Sequence, residues 1–92
     1  MKAHLSFHGM PLLYKTFNNQ KEIDLEFMGT TLADLVKALV TRYGAPLKNA
    51  LLNESGDLDA EIRVILNDDC LSDNRMAATM HDGDAVAFRV AG

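Results

Sequence analysis

His81-Asp82-Gly83-Asp84-Ala85-Val86-Ala87-Phe88-Arg89-Val90-Ala91-Gly92 closes the chain, and its reading decides the fold. Asp82-Gly83-Asp84 is a tight-turn signal, because glycine supplies the positive φ that other residues resist. Ala85 to Val90 is short, apolar and partly β-branched, the pattern of a buried or half-buried strand. With this strand at the centre of a sheet, the carboxylate of Gly92 stands on a slim stalk of Val90 and Ala91. No Cβ on the last residue would hold another protein's backbone away.

Working outward, the N-terminal stretch alternates in the same way. In residues 2–8, Ala3, Leu5 and Phe7 point one way, and His4, Ser6 and His8 the other. Gly9-Met10-Pro11 breaks the strand, and residues 9–20 read as a loop. Residues 21–27 form the clearest strand, with Ile23, Leu25 and Phe27 alternating against Glu22, Asp24 and Glu26. The two strands form an antiparallel hairpin. Thr30 is the expected N-cap of the main helix, whose stripe is Leu32, Leu35, Val36, Leu39, Val40 and Tyr43. Gly44 ends it, and Pro46 opens a shorter helix through Leu52. A third strand occupies residues 61–67. Asn67-Asp68-Asp69 turns the chain into a very short strand at Cys70 and Leu71, and residues 72–79 read as irregular.

This order describes an α+β fold: a ubiquitin-like β-grasp, with a mixed five-stranded sheet covered by one main helix plus a short helix. The first and last strands should lie parallel and adjacent at the sheet centre. Residues 1–92 make one domain, since a chain of this size has room for a single core. With 48% hydrophobic and 24% charged residues it reads as globular. No apolar run approaches about 18 residues, which argues against a membrane span. The N-terminus lacks the apolar core of a signal peptide. One cysteine, Cys70, allows no internal disulfide, and a cytoplasmic protein is expected. The net charge of −4 and scattered basic residues argue against nucleic-acid binding. The acidic excess, concentrated from Asp57 onward, reads equally as a solubility feature and as a match to a basic partner surface.

Several stretches resemble the sulfur-carrier branch of the β-grasp proteins, which includes the small subunit of molybdopterin synthase and the thiamin-pathway sulfur carrier. They are Gly29-Thr30-Thr31-Leu32-Ala33-Asp34-Leu35, Arg42-Tyr43-Gly44, Leu51 to Leu58, Ile62-Arg63-Val64-Ile65-Leu66-Asn67-Asp68, and His81 to Val86. The ordered set, finishing in Val90-Ala91-Gly92, carries the resemblance, which covers most of the chain from residue 22 onward. It implies a protein co-substrate rather than an enzyme. A ubiquitin-activating-type enzyme would consume ATP to adenylate Gly92. Sulfur would then replace AMP and leave a thiocarboxylate, and a synthase subunit would accept that sulfur in molybdopterin or thiamin biosynthesis or a related route. The carrier itself would bind no cofactor. Where the family ends in Gly-Gly, this chain has Ala91-Gly92.

The resemblance also implies docking through the sheet face away from the main helix, which should carry His4, Ser6, Arg63, Ile65, Ala87 and Arg89. Ile65 and the small Ala87 among polar residues form a half-apolar patch of the interface type. His4 and His8 share a strand face but lie about 13 Å apart, too far for one metal ion. No nucleophile triad, paired-carboxylate or phosphate-loop spacing is present. The alternative to a carrier is a non-conjugating β-grasp binding module, an accessory subunit of a metalloenzyme or cofactor-assembly complex that uses the same face.

Overall fold

The computed structural model describes residues 1–17, 20–72 and 74–90. The strands are β1 (Lys2–His8), β2 (Glu22–Glu26), β3 (Ile62–Leu66), β4 (Asp69–Leu71) and β5 (Asp84–Val90). The helices are α1 (Pro11–Thr16), α2 (Leu32–Tyr43) and α3 (Ala45–Leu51), with a short 3-10 helix at Arg75–Ala77. One sheet runs in the order β2-β1-β5-β3-β4. β1 and β5 are parallel at its centre, and every other neighbouring pair is antiparallel. This is the mixed β-grasp sheet expected from the sequence.

Alternation sorts the strand residues onto two faces. Ala3, Leu5, Phe7, Leu25, Ile62, Val64, Val86 and Phe88 are buried, and so are Leu32, Leu35, Val36 and Leu39 of the main helix. The core is stitched by aromatic rings. Phe7 stacks on Phe88 at 5.3 Å and on Phe17 at 4.9 Å, and Phe17 meets Tyr43 edge-on at 4.9 Å.

Three local features differ from the sequence reading. Residues 11–16, expected as loop, form α1. Pro11 starts this helix at a position where its missing N–H costs nothing. Leu13 and Phe17, four residues apart, are both buried. A six-residue helix cannot hold itself in water, so packing decides it. The irregular 72–79 segment contains the 3-10 helix, whose Arg75 guanidinium donates to the carbonyls of Ile62, Leu58 and Asp59. This pins the 58–62 loop to the segment that follows β4.

The N-cap of α2 is Thr31, not Thr30. Asp34 stands three residues beyond Thr31, which completes a capping box. The Asp34 N–H donates to Thr31 Oγ1, and Asp34 Oδ2 accepts from the Thr30 and Thr31 N–H groups at 2.9 and 3.2 Å. Tertiary pairing fixes the same start, because the Leu32 N–H donates to Ala78 O and the Met80 N–H to Thr30 O. The backbone donors of Thr30 and Thr31 hold the Asp34 carboxyl below the usual carboxylate range. Its contribution is therefore present above that range and is lost as pH falls through the lowered folded value. Thr31→Ala should cost about 1 kcal/mol, read from urea denaturation at neutral pH.

Two turns shape the edge of the sheet nearest the start of β5. Asn67 and Asp68 link β3 to β4 with φ of 48° and 73°, a two-residue hairpin of the primed type. The Asn67 side chain donates to Asp84 Oδ1 at 2.8 Å and accepts from the Ala85 N–H at 2.9 Å. Gly83 sits at φ 88° in the turn before β5, where the Asp84 N–H donates to His81 O. The neighbouring Asp82 carboxylate accepts from the Lys2 N–H at 2.6 Å.

Candidate functional site: the open sheet face

All three helices pack on the buried side of the sheet or at its ends, leaving the other face open. Strand register places its side chains in rows. Glu22, Ser6, Ala87, Ile65 and Cys70 form the middle row, one from each strand. Asp24, His4 and Ala85 form the row toward the start of β5, and His8, Arg89 and Arg63 the row toward its end. The six residues expected on this face, His4, Ser6, Arg63, Ile65, Ala87 and Arg89, are therefore brought together.

The middle of the face is a shallow trough of ≈ 380 Å³ lined by His4, Ser6, Ile65, Asn67, Ala85 and Ala87 among others. It exists because the central strand carries only methyl side chains there. Ile65 is half-buried beside Ala87 and gives the trough an apolar wall. Polar rim, small floor and one branched aliphatic side chain suit insertion of a partner's side chains.

His4 lies between two carboxylates of the edge strand. Its Nδ1 is 2.8 Å from Asp24 Oδ1 and its Nε2 is 3.1 Å from Glu22 Oε1. The hydrogen bond to Asp24, then that to Glu22, raises the imidazole pKa above its ordinary value, and the same bond lowers Asp24. Sequence reading placed His4 here without its partners. Their signal lay in the β2 alternation, which turns Glu22 and Asp24 outward, but only the pairing of β2 with β1 sets them beside His4. Because the folded pKa is raised, His4 stabilises the fold fully below the usual histidine value. That contribution is lost as pH rises through the raised value. Thermal unfolding between pH 5 and 9 should show this alkaline loss in the native protein, and His4→Gln should remove it.

The remaining candidates fall elsewhere. His8 Nε2 is within hydrogen-bonding distance of Ser6 Oγ, at 3.2 Å, and does not join His4. Among the described residues no three His, Cys, Asp or Glu side chains are grouped to hold a metal ion. Cys70 is exposed at the edge of the face. No helix of the described residues is long and apolar enough to cross a membrane. Val90 pairs with Ile62 and is 38% exposed, so β5 leaves the sheet at the end that bears Arg89 and Arg63. Gly9 borders this exit: a Cβ there would sit 3.6 Å from Val90 Cβ. Ala91 and Gly92, expected as tail and reaction site, lie outside the described residues.

No protein-family model matches the chain, and no curated protein matches it by sequence. Solved structures do. SAMP1 from Haloferax volcanii superposes with a TM-score of 0.79 at 17% identity, covering 100% of this chain and 97% of its own. CysO, solved in the BexX/CysO complex of Amycolatopsis orientalis, gives 0.77 at 23%, covering 98% and 96%. Urm1 from Trypanosoma brucei gives 0.74 at 27%, covering 99% and 92%. The chain has the ubiquitin-like β-grasp fold of these sulfur-carrier proteins, and the resemblance read in its sequence holds in its structure.

Proposed function

We propose that this chain is a sulfur carrier that acts as a protein co-substrate. The observation that supports it most is the near end-to-end likeness to CysO, SAMP1 and Urm1. In this reading a partner enzyme joins the Gly92 carboxylate to the α-phosphate of ATP and releases pyrophosphate. A sulfide equivalent then attacks the acyl carbon and AMP departs, leaving the thiocarboxylate. The carrier contributes no catalytic group. It offers Ile65, Ala87, Arg63, Arg89 and His4 for docking, and Ala91 as a slim approach to Gly92. A synthase subunit of the molybdopterin or thiamin type then takes the sulfur. The complex of CysO with BexX supports a partner protein for a carrier of this shape.

Intact mass spectrometry tests the reading. The protein is incubated with ATP, a sulfide source and the adenylating enzyme encoded by its own organism. A product heavier by the difference between sulfur and oxygen, alkylatable and mapped to Gly92, is expected. An unchanged mass, with pyrophosphate release no higher than in the absence of the protein, would favour the non-conjugating binding module.

A further inference from the structure

On the helical side of the molecule, α2, the end of α3, the turn before Leu58 and the 3-10 helix border a groove of ≈ 360 Å³. Its floor is apolar. Ala33, Val36 and Val40 stand at i, i+3 and i+7 on α2, a stripe about 10 Å long. Leu52 and Met76 complete the apolar lining. The sequence sets Val40 in the core-facing stripe of α2, yet the fold leaves it half-buried, as it leaves Ala33, Leu52 and Met76. Lys37 and Lys48 line the same groove, and no carboxylate does. Neither ammonium has a carboxylate within ion-pair distance among the described residues. Asp34, one turn before Lys37, accepts from the Thr30 and Thr31 N–H groups instead. Asp57, beside Gly56 of the lining, accepts from the Leu58 N–H. On a chain of net charge −4, the groove is an apolar strip edged with unmatched positive charge.

We propose that this groove docks two turns of an acidic amphipathic helix from a partner protein. Its aliphatic side chains would lie on the α2 stripe, with Glu or Asp beside them for Lys37 and Lys48. The period and length of the stripe match two turns of helix, and the small Ala33 lets another backbone approach closely. Two lysines without an acid select an acidic helix over a basic one. Lys37, Thr41, Lys48 and Gly56 of the lining are exposed, so the groove is too open to bury most of a small molecule. A second copy of this chain has no matching helix to offer. α1 and α3 contain no acidic residue, and Asp34, the one acid of α2, caps its own helix. The groove lies apart from the open face and from β5, so the site stands whether or not Gly92 carries sulfur.

A synthetic peptide of about 15 residues tests this, with Leu at i, i+3, i+4 and i+7 and Glu on both flanks in an Ala background. Titrated to about 1 mM against the whole protein, it should shift the amide NMR signals of residues 33–41, 48–56 and 76 and leave those of β5 unmoved. The same peptide with Lys in place of Glu should bind about 10-fold more weakly at low ionic strength. The gap should narrow to about 2-fold in about 0.5 M salt, where exposed charges are screened. Lys37→Glu, at an exposed position, should weaken the Glu peptide about 5-fold and leave the melting temperature in place. Val40→Asp, on the floor, should weaken it by more than about 10-fold. Unmoved groove signals, or Glu and Lys peptides that bind equally, would overturn the proposal. Groove signals that move with protein concentration alone would assign the groove to a second copy and overturn it too. These readouts need no adenylating enzyme, so they stand apart from the test of the carrier reading.

Discussion

Phe7→Ala lowers the unfolding free energy by about 3–5 kcal/mol, the range for deleting a fully buried aromatic side chain. Phe7 is 0% exposed and lies in β1, next to the parallel β5. Its ring is shared between Phe88 of β5 and Phe17 beyond α1, and Phe17 in turn meets Tyr43 at the end of α2. The truncation opens a void at the junction of sheet, short helix and main helix, where rigid strands on one side limit collapse. A domain of this length has about 5–14 kcal/mol in total, so the variant retains a much reduced margin. Urea denaturation followed by circular dichroism measures the loss. Because α1 depends on Phe17 packing against Phe7, hydrogen exchange at residues 13–17 should rise by more than at residues 35–39 of α2. A loss under about 1 kcal/mol would show that the aromatic contacts contribute little to the core.

Ile65→Asp leaves the fold intact and abolishes productive docking. Ile65 is half-buried on the open face, beside the central Ala87 in a row of one residue from each strand. An aliphatic side chain at the middle of an interface, walled by small residues, is the type of position whose loss costs 2 kcal/mol or more, about 30-fold in affinity. A carboxylate there also requires desolvation against the partner, which increases the loss. Its cost to the fold is smaller, because the site stays open to water and the substitution loses mainly strand preference, about 1 kcal/mol. Surface plasmon resonance against the adenylating enzyme, beside a thermal melt, separates the two effects. Unchanged binding with a folded Ile65→Asp variant would remove the open face from the docking surface.

Much of the site was legible before the structure. The alternation of residues 2–8 and of 61–67 sends His4, Ser6, Arg63 and Ile65 to one side, and β5 sends Ala87 and Arg89 to the same side once its parallel neighbour is known. The contacts of His4 were not legible. Glu22 and Asp24 are 18 and 20 residues away in the chain, and although residues 2–8 and 21–27 read as a hairpin, the long connection between them leaves open the register that sets Ser6 against Glu22 and His4 against Asp24. The cross-strand meeting of Arg63 with Arg89 has the same origin, with 25 residues of chain between them.

The order of elements, the central closing strand, the turns at Asn67-Asp68 and Gly83 and the buried stripe of α2 were determined by the sequence itself. Alternation, helical spacing and positive-φ residues act over a few neighbouring residues. Tertiary structure alone decided α1 and which charged side chains become neighbours on the open face. A six-residue helix lies below the length at which helices persist alone, so the burial of Leu13 and Phe17 chose it. The start of α2 at Thr31 had a local signal as well, since Asp34 stands at capping-box spacing from Thr31 and not from Thr30, and the bridge from Thr31 to Thr79 accompanies it. Charges on separate strands become neighbours only through the order β2-β1-β5-β3-β4, which long-range pairing and core packing settle together.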